Sequence, residues 1–127
     1  MTQILLVDGN IEECNAMAEL IGAMGYGVHS AYDPAAATEH LGNFGADLVV
    51  INLKSRHLDG WQLLQWIRSR PIKADLPVIA YGDLSDALWM LARQMGANER
   101  WLKQTCSVDS IGESLEKYLD SPHISAA

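Results

Sequence analysis

Positive charge is scarce in this chain. Nine lysines and arginines stand against sixteen aspartates and glutamates, a formal net charge of −7. That balance argues against binding a nucleic-acid backbone, which needs clustered Lys and Arg. The basic residues are scattered, and the close pairs Lys54/Arg56 and Arg68/Arg70 read as solvated faces. Cysteine is scarce too. Cys14 and Cys106 lie far apart without metal-ligand spacing, so no structural disulfide is expected and a reducing, cytoplasmic setting fits. Long hydrophobic runs are missing: Met1-Thr2-Gln3 leads into only four apolar residues, Ile4 to Val7. Neither a signal peptide nor a membrane span is expected. Phosphate-loop glycine spacing is absent, since the first βα turn is Asp8-Gly9-Asn10, and no Ser/Thr-rich loop suggests flavin. A small α/β nucleotide-binding enzyme is thus the weaker reading. His29, His40, His57 and His123 show no ligand spacing and read as surface residues, and no metal or cofactor is expected.

What is present is the pattern of a single globular domain. The chain has 127 residues, 49% hydrophobic and 20% charged, enough for a core of its own. Short apolar runs alternate with amphipathic stretches throughout. Ile4–Asp8 reads as a strand, followed by a helix capped by Asn10 with Glu13 as its capping-box partner. Its apolar face carries Ile11, Cys14, Ala18 and Ile21, and it ends at Gly25-Tyr26-Gly27. Val28–Ala31 is a second strand, and Asp33-Pro34 opens an alanine-rich helix running to Leu41-Gly42. Leu48–Asn52 is a third strand. A polar loop through Asp59-Gly60 then leads to a helix marked by Trp61, Leu64 and Ile67, which stops before Pro71. Pro77–Tyr81 is a fourth strand. Ser85 starts a helix with Leu88, Leu91, Ala92 and Met95 on one face, closed by Gly96. Arg100–Leu102 is a fifth strand, and Ser107 caps a last helix with Val108, Ile111, Leu115 and Leu119 inward. Five βα units of this kind imply a doubly wound parallel sheet with helices on both faces. Residues 1–120 form the domain, and the polar tail 121–127 is expected to fray.

The buried third strand delivers Asn52 to its C-terminal end, where ligands and chemistry collect in open α/β sheets. A carboxylate there could attack phosphorus. A carboxamide is neutral and forms no acyl-phosphate.

The order and spacing of these units resemble the receiver domain of two-component response regulators, over roughly residues 3–120. The matching pieces are Ile4-Leu5-Leu6-Val7-Asp8, Asp47-Leu48-Val49-Val50-Ile51, Leu58-Asp59-Gly60, Leu76-Pro77-Val78-Ile79-Ala80, Gly96-Ala97 and Lys103. The resemblance implies a flavodoxin-like sheet in the order 2-1-3-4-5. It also implies a domain that takes a phosphoryl group from a sensor kinase onto an aspartate, with Mg²⁺, and passes the change to a partner. Asp8 and Lys103 match that pattern. The second acid of the family is Gly9 here, the acceptor position is Asn52, the hydroxyl position after the fourth strand is Gly82, the aromatic switch position is Arg100, and the proline after the lysine is Gln104. The resemblance therefore points to a degenerate receiver, not an enzyme, that works by protein–protein interaction.

Several finer expectations follow. Lys103 either pairs with Asp8 or is solvated. Asp83 reads first as a turn residue, and Asp59 or Asp83 as a substitute phosphoryl acceptor is a minor alternative. Trp61 reads as core. Trp89 lies off the Leu88/Leu91/Met95 stripe with Arg93 one turn away. The resemblance places it with Arg100 on the face of the fourth helix, fifth strand and last helix, the expected contact for a signalling protein or a second copy. The bland alternative is Trp89 lying flat on its own helix under Arg93. Trp66 is likewise off-stripe.

Overall fold

The computed structural model describes residues 2–54, 59–71 and 75–119. Ten elements alternate strictly: β1 (Gln3–Val7), α1 (Ile11–Ala23), β2 (Gly27–Ala31), α2 (Pro34–Asn43), β3 (Leu48–Asn52), α3 (Gly60–Ser69), β4 (Val78–Tyr81), α4 (Asp86–Gln94), β5 (Glu99–Trp101) and α5 (Val108–Tyr118). All strand pairs are parallel and the order is β2-β1-β3-β4-β5. This is the doubly wound parallel sheet that the sequence pattern implies, in the α/β flavodoxin-like order that the resemblance to receiver domains implies. The expected boundaries hold to within one or two residues. The tail 121–127, along with Arg56, His57, Leu58 and His123, lies outside the described residues.

Side chains of β1 and β3 alternate between two apolar layers, as the two-residue period of a strand requires. Leu5, Val7, Val49 and Ile51 join Ala37, Leu41, Leu63, Leu64, Ile67 and Ala92 under α2, α3 and α4. Ile4, Leu6, Leu48 and Val50 join Cys14, Ile21, Ile111 and Leu115 under α1 and α5. Burial on both faces explains why β3 reads as a continuous apolar run. Among the described residues no helix is long and apolar enough to cross a membrane.

Four caps seen in the sequence are present. Asn10, Asp33, Ser85 and Ser107 each accept an N–H three residues on, and Ser107 forms a reciprocal box with Ser110. Asn10 forms only half of its box. Its own N–H is taken by Asp8 Oδ1 at 2.8 Å, so the Glu13 carboxylate turns elsewhere.

Three apolar residues depart from the faces assigned to them. Ile11 and Val108, 54% and 56% exposed, are the first residues of α1 and α5. Helical side chains lean toward the N-terminus, so a residue at that position reaches past the end of the sheet rather than over it. Leu91 is 46% exposed because α4 is rotated from the expected phase. Its inward side is Ala92 with Leu88, Trp89 and Met95. Trp89 is accordingly not off-stripe: it is half-buried and packs against the core. Trp61 and Trp66 are also half-buried against that layer, with the Arg70 guanidinium 4.6 Å over the Trp66 ring.

Two polar clasps tie elements together. The Arg68 guanidinium, from α3, donates to Gly96 O through Nε at 3.0 Å and Nη2 at 2.8 Å, and to Asn98 Oδ1 at 2.9 Å. Asn98 Oδ1 also accepts the Val78 N–H at 2.8 Å, which fixes β4 to the turn before β5. Gly96 has φ +111°, and a Cβ there would stand 2.6 Å from Arg68 Nε. The second clasp is Glu99, whose carboxylate accepts from Trp101 Nε1 (3.3 Å), Tyr118 Oη (3.2 Å) and Ser114 Oγ, with Lys117 Nζ at 3.6 Å. It joins β5 to α5.

Candidate functional site

The C-terminal ends of β1, β3 and β4 bring Asp8, Asn52 and Gly82 together. Asp8 and Asn52 are both buried. A buried carboxylate needs donors to offset its lost hydration. Asp8 receives the Asn10 N–H on Oδ1 and the Asn52 Nδ2 amide on Oδ2 at 3.4 Å, a long bond. Asn52 Oδ1 accepts the Lys54 N–H at 3.0 Å. The carboxamide thus uses its donor toward one side of the site and its acceptor toward the other, which a carboxylate at this position would not do. Gly82 completes the enclosure. Its φ of +117° lies in the region that favours glycine, and a Cβ there would stand 2.9 Å from Asn52 Oδ1. Its N–H donates to Trp101 O at 3.1 Å, which links the turn to β5.

Lys103 does not pair with Asp8. It is partly exposed and donates to the Glu13 carboxylate, from the first turn of α1. The hydrogen bond it donates to Glu13 holds its ammonium above the ordinary lysine value, against a smaller opposing effect of desolvation. The sequence reading placed Glu13 in a capping box and missed this partner, 90 positions away. Tyr81 was missed as well. It lies opposite Asn52 in the β3–β4 register, and burial raises its phenol, reinforced by the Cys106, Glu13 and Asp8 charges and opposed by Lys103. Beneath these groups is a cavity of about 10 Å³ lined by Leu6, Cys14, Met17, Val50, Asn52 and Tyr81 among others. It has room for one water molecule at most.

Neither of the two loop acids is hydrogen-bonded to Asp8 or Asn52 among the described residues. Asp59 caps α3, accepting the Gln62 N–H at 3.0 Å. Asp83 is exposed beside Gly82 in the turn after β4.

The α4–β5 surface is a second candidate. The Arg100 guanidinium lies 5.9 Å over the Trp89 ring, so the residue stacked on this tryptophan is Arg100 rather than Arg93. Arg100 Nη2 donates to Asp86 Oδ1 at 2.9 Å, while its buried Nη1 has no acceptor among the described residues. Trp89, Met90, Arg93 and Gln94 line an open groove of about 410 Å³ on the outer side of α4.

Residues 4–115 match the model of the response regulator receiver domain family. Over 122 residues the chain is 30% identical to the transcriptional regulatory protein ZraR of Escherichia coli O157:H7, covering 95% of this chain and 27% of that protein. It thus spans about a quarter of that relative's length. The fold is similar to that of the Vibrio cholerae chemotaxis protein CheY4, with a TM-score of 0.85, 18% identity, and coverage of 94% and 99% of the two chains. The receiver domain of NtrX from Brucella abortus gives a TM-score of 0.80 at 24% identity, with 93% and 98% covered. A signal receiver domain of a histidine kinase from Syntrophus aciditrophicus gives 0.82 at 21% identity, with 94% and 90% covered. With a family model spanning most of its length and a sheet in the matching order, this chain belongs to the response regulator receiver domains of two-component signalling.

Proposed function

We propose that this domain is a pseudo-receiver, a signalling module that acts through protein contacts and not through phosphorylation at the end of β3. The observation that carries the reading is Asn52, set between the Asp8 carboxylate and the Lys54 N–H with Gly82 against it. A carboxamide in that position has no anionic oxygen to attack phosphorus. The donor set also fits Mg²⁺ poorly, since that ion favours an octahedron of hard oxygens with one or two carboxylates. Among the described residues Asp8 is the one carboxylate bonded to Asn52, Gly9 brings no side chain, and Asn52 Oδ1 is engaged. Among the described residues no group of three or more His, Cys, Asp or Glu could hold a metal. Lys103 is paired to Glu13.

The α4–β5 surface is the proposed contact face, with Trp89, Arg93 and Arg100 as its anchors and a signalling protein or a second copy as its occupant. A half-buried aromatic beside arginines suits a contact of that kind. The net charge of −7 disfavours DNA as the ligand of this domain. ZraR is named a transcriptional regulatory protein; by analogy the contact would relay a signal to a regulatory partner.

Incubation with acetyl phosphate and Mg²⁺, followed by intact-mass measurement, tests the reading. The expected mass is unchanged. A stable adduct of about 80 Da, one phosphoryl group, would overturn it, and mapping that adduct to Asp59 or Asp83 would establish a substitute acceptor.

A further inference from the structure

Away from both of these regions, His29 on the edge strand β2 faces His40 in the last turn of α2. Their rings are stacked, with centroids 3.9 Å apart and planes within 9° of parallel. Phe44, the C-cap of α2 and 79% exposed, tilts against His40 at 5.2 Å. The His40 carbonyl closes the helix by accepting the N–H of Phe44 at 2.8 Å and of Gly45 at 3.2 Å. The stack therefore stands where α2 ends and where the sheet has its free edge.

Two imidazoles at this separation accommodate one proton far more readily than two, because a second cation would lie face to face with the first. The surroundings provide little compensation. β2 contributes no other ionisable residue, and β1 places Leu5 opposite His29. The charged groups of neighbouring elements are Asp33 and Glu39 at the start and on the body of α2, Asp47 before β3, and Asp59, Arg68 and Arg70 on α3 and its caps. Glu12, Glu13 and Glu19 lie on α1, which packs on β2 from the opposite face with Val28. Asp47 accepts the Gln3 N–H, Arg68 is bound to Gly96, and Arg70 lies over Trp66. Among the described residues no carboxylate comes within 4.0 Å of either imidazole. Burial, and secondarily the facing His29, hold His40 below the ordinary histidine value.

We propose that the His29–His40 stack is an acid-sensitive latch, holding the end of α2 on the edge strand at neutral pH and releasing it on acidification. The direction follows from proton linkage. The released form binds the second proton more tightly than the stacked form, so docking is fully present above the ordinary histidine value, about 6.5, and weakens as pH falls through it. Nothing in this depends on how the β3 pocket or the α4 face works.

The test is hydrogen exchange of the α2 amides at pH 7.5 and 5.5, corrected for intrinsic rates, together with titration of both imidazoles by NMR. Protection of residues 40–45 should fall several-fold, roughly the scale of a proton-linked change, while protection of β3 stays constant. His40 should titrate below its ordinary value and move up in His29→Gln, a change at an exposed ring that spares the core. The pH dependence of α2 protection should shrink in the same variant. Independent titration of the two rings, each unmoved by substitution of the other, overturns the latch. So does α2 protection that is flat across this pH range.

Discussion

At the end of β3, polar side chains are turned on one another; across α4 and β5, several are left facing outward. Asp8 and Asn52 are buried and bonded to each other, the backbone closes around them, and the cavity they line has room for one water molecule at most. On α4, an open groove runs beside Trp89, and the buried Nη1 of Arg100 has no acceptor among the described residues. The two regions are joined by short links, since Gly82 donates to Trp101 O in the strand that carries Arg100. The contrast teaches where each can act. A group whose hydrogen bonds are satisfied internally has little to offer a newcomer, whereas an unsatisfied buried donor gains by acquiring an acceptor.

The comparison breaks most readily at Gly82. Gly82→Thr puts a β-branched residue at φ +117° and a Cβ against Asn52. The expected cost is about 3 kcal/mol, combining backbone strain with overpacking. Urea denaturation measures it, and a loss below about 1 kcal/mol would mean that the pocket yields and is not closed.

Trp89→Ala comes next. It should weaken association with a partner or second copy by about 2 kcal/mol. Because the ring packs on the core, stability should drop by a similar amount, somewhat less than the 3–5 kcal/mol or so of a fully buried tryptophan. Arg93→Glu separates the two effects. Association should fall while stability stays within about 0.5 kcal/mol, read by titration calorimetry and denaturant midpoints on the same sample. Intact association in both variants would remove this face from consideration.

Asn52→Asp sharpens the pocket side. Two carboxylates would then share the space in which Asn52 Nδ2 now donates to Asp8, and one must hold its proton to higher pH. An acid raised in the folded state keeps its contribution at low pH and loses it as pH rises. The variant should therefore be destabilised by about 1–2 kcal/mol at pH 8 and by less at pH 5. A variant equally stable at both values would show that position 52 is solvated.

The smallest effect belongs to Lys103→Met. The Glu13 pair is partly exposed, so its loss should cost no more than about 0.5 kcal/mol at pH 7. Lys103 is raised in the folded state, so that contribution is complete below its ordinary value of 10.5 and disappears as pH rises beyond it. A loss that persists above this range would be packing, not charge.

What the sequence disclosed and what it withheld divide along chain separation. The caps at Asn10, Asp33, Ser85 and Ser107 are written within three residues, and β3 announces itself by five apolar or buried positions in a row. Asn52 could be placed because a strand ends there. The partner of Lys103 could not be, because Glu13 is adjacent only after α1 and the β5–α5 loop have docked on the same side of the sheet. Glu99 drew no expectation from the sequence, since nothing local marks the indole, hydroxyls and ammonium that gather on it. Ile11 and Val108 misled for another reason: apolarity signals burial only where a surface lies opposite, and the first residues of α1 and α5 are more than half exposed. For Trp89 the stripe was drawn through Leu91, although the larger ring takes the inward flank.

Arg68 and Gly96 carry a consequence for descent. The guanidinium lies where a side chain at position 96 would have to go, and its bonds end on the carbonyl of that same glycine. Neither residue can be replaced independently without leaving a clash or an unfilled recess 28 positions away. The two should therefore be inherited as a couple in any lineage that keeps this turn, and a sequence with one altered should show a compensating change at the other.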